Sequence, residues 1–187
     1  SKEELYQYEA LILGDIEAGF FNVDQLQMIQ EFVAERGGGF LMSGMIDEEF
    51  IGTPVEDVLP VTLVEESFLP SHLHGGIRRG SHPTGEPFFP RLTNNGEFSP
   101  LLRLSGDDGE NGMRWRQLPE LQGVFVTGRI KPGATVLMEH PLLQYQNQAL
   151  PVLTTQRYGS GRSVALMTAS TWRWQMMMAA ADQSHET

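Results

Sequence analysis

Residues 8–44 constrain the fold more than any other stretch of the chain. An apolar run, Ala10-Leu11-Ile12-Leu13, breaks at Gly14-Asp15, gives way to an amphipathic segment, and re-emerges beyond Gly37-Gly38-Gly39 as Phe40-Leu41-Met42. This is the pattern of a βαβ unit: two short strands apolar on both faces, joined by a crossover helix. Parallel strands joined by a right-handed crossover bring their carboxyl ends to one sheet edge, where open α/β sheets place their ligands. Asp15, Glu17, Ser43 and Asp47 are therefore expected to share one crevice.

The crossover helix is well specified. Asn22 can cap it with Gln25 three residues on, Leu26, Ile29, Phe32 and Val33 recur at helical spacing, and Gly37 suits the left-handed position that ends helices. Further along, Thr53 followed by Pro54 predicts a short helix up to Pro60, with a strand over Val61 to Val64. Residues 65–97 lose all periodicity and read as one long irregular loop rich in Gly, Pro, His and Ser. Phe98 to Leu104 predicts a short helix, and Asp107 to Gly112 a solvated acidic turn. Two hairpins are expected next. Gly123 to Gly128 and Ala134 to Met138 flank Lys131-Pro132-Gly133, and Pro151 to Tyr158 and Arg162 to Thr168 flank Gly159-Ser160-Gly161. The expected architecture is a single α/β domain over 1–187, with a parallel core extended by antiparallel hairpins and helices on both faces.

Composition removes several function classes. Thirteen basic against twenty-four acidic residues give a net charge of −11, which opposes binding to nucleic acid or to anionic lipid. The one basic cluster, Arg78-Arg79, leaves room for a small anion site. The absence of cysteine excludes disulfides, a thiolate nucleophile and thiolate metal ligands, and leans slightly toward an extracytoplasmic setting. No apolar run is long enough to cross a bilayer, so a soluble domain without its own membrane span is expected. Polar ends set directly against apolar segments read as one domain cut from a longer protein.

Several blocks together resemble a family: Tyr8-Glu9-Ala10-Leu11-Ile12-Leu13-Gly14-Asp15, the helix end from Glu31-Phe32-Val33 to Gly37-Gly38-Gly39, Gly52-Thr53-Pro54 with Leu59-Pro60-Val61, Lys131-Pro132-Gly133-Ala134-Thr135-Val136-Leu137, Gln156-Arg157-Tyr158-Gly159-Ser160-Gly161-Arg162, and Thr171-Trp172-Arg173-Trp174. Their order is similar to that of the class I glutamine amidotransferase-like domain of large bacterial membrane proteins, often beside von Willebrand factor A-type domains. The resemblance implies a flavodoxin-like, Rossmann-like fold, and a further βα unit ahead of the first strand seen here. It also implies other domains of the same membrane-anchored protein, or a separate protein, as partners.

The resemblance does not bring the chemistry with it. Class I amidotransferases activate a cysteine with a histidine, and this chain has no cysteine. Ser43 closes the second strand but lacks the G-x-S-x-G frame of a nucleophile elbow. His140-Pro141 after Glu139 is superficially like the family's His-Pro-Glu triplet, in the wrong order. Ser43 and His140 are thus weak catalytic candidates, each with a plain structural alternative at a strand end. Asp15 and Glu17 are the best-placed ligand-binding candidates, against simple capping of the turn near Gly19. His72, His74 and His82 could bind zinc or nickel with Glu65, Glu66 or Glu86, though a glycine-rich loop supports a metal poorly. Tyr158 to Arg162 reads as a hairpin turn and not a phosphate loop. One of Trp172 and Trp174 should pack on the sheet, and the apolar Met176 to Ala181 should meet a partner beyond Thr187. No cofactor is expected. The leading expectation is a catalytically degenerate module for ligand sensing or protein interaction. The alternative is a hydrolase of another class using Asp15 or Glu17 with histidines, with or without a metal.

Overall fold

The structure, a computed structural model, describes residues 1–44, 48–73 and 84–176. A one-turn helix α1 (Lys2–Leu5) leads into β1 (Ala10–Gly14), helix α2 (Val23–Ala34) and β2 (Gly39–Ser43), and the two strands pair in parallel with Leu11 opposite Phe40. The expected βαβ unit is present. Asn22 caps α2 by accepting the Gln25 N–H at 2.9 Å, while the Gln25 side chain accepts the Asn22 N–H in return. Such a reciprocal cap satisfies two of the helix's orphan donors and is worth about 1 kcal/mol. Gly37 has the expected positive φ of 84°.

After α3 (Pro54–Val58) the chain forms β3 (Thr84–Phe88), β4 (Arg91–Leu92), α4 (Asn94–Glu97), α5 (Asp108–Gln117), β5 (Leu121–Val124), β6 (Thr135–Tyr145), β7 (Gln148–Tyr158) and β8 (Gly161–Leu166). The main sheet has the order β1-β2-β8-β7-β6-β4, and β3 pairs with β5 in a separate antiparallel ribbon. β1, β2 and β8 are parallel, whereas β7, β6 and β4 each run antiparallel to the preceding neighbour. The sheet is mixed, a parallel part extended by an antiparallel one.

Register assigns the two faces. Leu13, Met42, Ala165 and Thr154 form one row across the sheet, and all four are buried in the core that α2 enters with Leu26, Ile29, Phe32 and Val33. Full burial of side chains such as Phe32 and Met42 stabilises by about 1.5–3 kcal/mol each. The neighbouring row, Ile12, Leu41, Val164 and Thr155, points to the opposite face. There Ile12 is 66 % exposed, and the row lines an open trough of about 770 Å³ walled at one end by Ser99, Pro100 and Leu101. Among the described residues the expected second helical layer does not cover this part of the sheet.

Close packing fixes the β7–β8 hairpin against α2. A Cβ at Gly161 would stand 2.4 Å from the carbonyl oxygens of both Val33 and Gly38, and Ser160 N–H donates to the Ala34 carbonyl at 2.8 Å. The Gly159-Ser160-Gly161 turn is thus a docking turn against a helix end, as a hairpin reading requires. Beneath it, Gln156 Nε2 donates to the Val58 and Leu59 carbonyls at 2.8 and 2.9 Å, and Ser163 Oγ donates to Val58 at 2.6 Å. These bonds tie the end of α3 to the sheet.

Several expectations give way. Val61 to Val64 is no strand; Val61 makes a single bridge to Ile130, because Thr62 is held instead by loop contacts with Gly128 and Arg129. The 65–97 stretch contains β3, β4 and α4 among its described residues. Phe98 to Leu104 contracts to a short helical turn at Pro100–Leu102. The acidic turn at 107–112 is the start of α5, capped by Asp107, whose side chain accepts the Glu110 N–H at 2.8 Å. The hairpin across Lys131-Pro132-Gly133 does not form, since β5 pairs with β3 and β6 with β7. Thr53 starts α3, but its hydroxyl donates backward to the Phe50 carbonyl at 2.7 Å and does not cap the helix.

Candidate functional site

The carboxyl ends of β1 and β2 do bring Asp15 and Ser43 together. Asp15 N–H donates to the Ser43 carbonyl at 3.3 Å, and a Cβ on Gly14 would stand 3.3 Å from Ser43 Oγ. Asp15 has a positive φ of 48°, a conformation that aspartate tolerates better than most residues. Its carboxylate folds over Gly44, where a Cβ would lie 2.2 Å from Oδ1. Gly44 itself has φ of 84°, so the next residue can turn away only because it is glycine. Glu17 sits one turn further along and opens the short helical turn Ala18–Phe20 through its backbone carbonyl, with no side-chain cap. Asp47 lies outside the described residues.

Among the described residues, His140 does not reach Ser43 in this crevice. β6 runs in the same direction as β2 and β8, and Met138 occupies the same cross-sheet row as Leu153, Leu166 and Ser43. His140, two residues on, therefore stands at the same end of the sheet, but β8 and β7 lie between its strand and that of Ser43. Three strand spacings amount to about 14 Å. The ring is 4 % exposed and stacks on Phe88 with centroids 4.1 Å apart.

A structural task accounts for His140. Nδ1 accepts the Leu142 and Leu143 N–H groups at 3.1 and 2.9 Å. Those amides lose regular partners because the β6–β7 register shifts between Glu139 and Gln144, beside Pro141 and opposite Pro151, which has no N–H. With Nδ1 accepting twice, the proton of the neutral ring resides on Nε2. Burial pushes the pKa below its ordinary value.

The metal reading gains no support. His72 is exposed in a helical turn at Ser71–Leu73, and no group of three or more metal-ligating side chains occurs among the described residues. His74, His82, Arg78 and Arg79 lie outside the described residues. Trp174 packs edge-on against Trp115 of α5 at 5.6 Å and against the core, while Trp172 is 59 % exposed. Met176 is exposed, and the apolar residues that follow it lie outside the described residues. Among the described residues no helix is long and apolar enough to cross a membrane.

Comparison with known proteins adds to this geometry at the level of fold. No family profile matches the chain, and no curated protein matches it in sequence. Solved structures do. The cytoplasmic protein STM3548 from Salmonella typhimurium superposes with a TM-score of 0.61 at 20% identity, over 90% of this chain and 63% of its own. The cytoplasmic protein STM1381 from Salmonella typhimurium LT2 gives 0.57 at 20% identity, over 93% of this chain and 66% of its own. The chain thus spans just under two thirds of the length of both. Gan42B, a GH42 β-galactosidase from G. stearothermophilus, gives 0.50 at 16% identity, with 98% of this chain matching 23% of that one. At such identities the likeness is one of fold: a mixed α/β domain.

Proposed function

We propose that the chain is a catalytically degenerate glutamine amidotransferase-like domain of flavodoxin-like type, serving as a ligand-sensing or protein-interaction module of a membrane-anchored bacterial protein. The observation that carries the reading is the separation of Ser43 from His140 by two intervening strands in a chain without cysteine. A nucleophile must touch its base to be activated, and Ser43 and His140 do not form such a pair. The uncovered apolar row of Ile12, Leu41 and Val164 favours the interaction arm, since exposed apolar patches of this kind are where other domains or proteins pack. A hydrolase built on Asp15 or Glu17 with His140 draws no support, because His140 is buried and already engaged by two backbone amides.

The test exploits the absence of cysteine. In an Ile12→Cys variant the introduced thiol is the sole cysteine of this chain, and its maleimide labelling is followed on the peptide that contains position 12. In the isolated chain it should react rapidly. In the intact membrane-anchored protein it should be protected about tenfold or more, as expected for a side chain covered by a packed partner. Equal labelling in both settings would contradict the reading.

A further inference from the structure

A second cavity, of about 660 Å³, lies between β4, α4 and α5, at the opposite edge of the sheet from β1, with walls that include Phe89, Leu92, Phe98 and Trp115. Its size falls within the range of small-molecule sites. At its base sits Asn111, 7 % exposed. Asn111 Oδ1 accepts the Leu104 N–H at 2.7 Å, which fixes the amide orientation. The residue lines the cavity, and its Nδ2 is a donor held in place at an otherwise mostly apolar wall, available to an acceptor that enters.

The charges around the cavity divide into two kinds. Arg91 is engaged by Glu139 and Asp108 by Arg103. Glu97 and Arg116 line the cavity and have no ion-pair partner among the described residues. Arg116 reaches back along α5 so that its guanidinium lies 3.8 Å from where a Cβ on Gly112 would be. Gly112 is itself a departure from helix preference in mid-helix, and it leaves the cavity wall bare.

The walls are held in place. Trp115 Nε1 donates to the Leu102 carbonyl at 2.8 Å, Arg114 donates to the Leu104 carbonyl at 2.9 Å, and Trp174 braces Trp115 edge-on. Such support preorganises a site. We infer that this cavity binds a small zwitterion with a large apolar body, of the class of a free aromatic or branched amino acid. Its carboxylate meets Arg116 and the Asn111 amide, its ammonium meets Glu97, and its side chain lies against Phe98 and Trp115. Charge-assisted pairs at both ends select the zwitterion over a simple acid or amine. The site stands without the amidotransferase reading and would survive its failure.

The test uses L-phenylalanine, followed by calorimetry and by Trp fluorescence. Saturable binding is expected, with phenylacetate and phenethylamine each weaker by about tenfold or more. Arg116→Gln and Glu97→Gln should each weaken L-phenylalanine to the same degree. Gly112→Leu should abolish binding while leaving the melting temperature equal or higher, because leucine fills the cavity and favours helix; this separates lost binding from lost folding. The inference is overturned if L-phenylalanine shows no saturable binding up to about 10 mM, a level weaker than ordinary small-ligand recognition, or if Gly112→Leu binds it as well as the unaltered protein.

Discussion

Ser43 and His140 lie at the same end of the sheet, yet β8 and β7 separate their strands, holding them about 14 Å apart. Strand order, and not strand direction, breaks the dyad. Had β6 been inserted beside β2, the imidazole would border the serine. Instead β8 occupies that position and presents Leu166 opposite Ser43.

His140 makes the stability sensitive to acid. Its folded pKa lies below the ordinary 6.5, so the unfolded chain binds the proton more readily than the folded one. Stability is therefore full above about pH 6.5 and falls as pH drops from there toward the folded pKa, by at most about 1.4 kcal/mol per pH unit. Urea unfolding at a series of pH values should show this slope, and His140→Gln should flatten it while lowering stability at neutral pH.

Gln156 ties α3 to the sheet through the Val58 and Leu59 carbonyls. Gln156→Leu removes both bonds and strips the Leu59 carbonyl of its glutamine donor while Val58 keeps Ser163 Oγ, so a loss of about 1–3 kcal/mol is expected by chemical denaturation. Ser163→Ala, which leaves the glutamine bonds to Val58 and Leu59 intact, should cost about 1 kcal/mol.

Gly161→Ala tests the docking of the hairpin on α2. The added methyl would meet two backbone carbonyl oxygens at 2.4 Å, and backbone cannot swing aside as a side chain can. A loss of about 2–3 kcal/mol is expected, measured as a fall in the unfolding midpoint with an unchanged denaturant slope.

Lys131 donates to the Glu56 and Asp57 carbonyls at 2.5 and 3.2 Å, placing a cation at the carboxyl end of α3. Partial burial lowers its pKa. Lys131→Met should destabilise by about 1 kcal/mol, since it removes charge-assisted bonds to the Asp57 carbonyl and to the Glu56 carbonyl, which then keeps only the Leu59 N–H.

What was legible in the sequence was what depends on neighbours along the chain. The Asn22–Gln25 cap, the apolar runs of β1 and β2 and the Gly159-Ser160-Gly161 turn are local signals, and each is present. The adjacency of Asp15 to Ser43 followed from the parallel pairing that one helical crossover requires. Pairings between distant segments left no such trace. Val124 pairs with Thr84 across two intervening helices, and nothing local marks either as the other's partner. The β6–β7 hairpin turns at Gln146-Asn147, both at positive φ, a signal that Asn147 offered. Asn111 gave no warning, because α5 carries two glycines and few apolar residues, so its buried polar position could be seen only once Leu104 was placed beside it.

Ammonia release from L-glutamine tests the central claim most directly. The protein is predicted to release no ammonia above the level of Ser43→Ala at neutral pH. Turnover that Ser43→Ala or His140→Gln abolishes, in a variant that remains folded, would contradict the account.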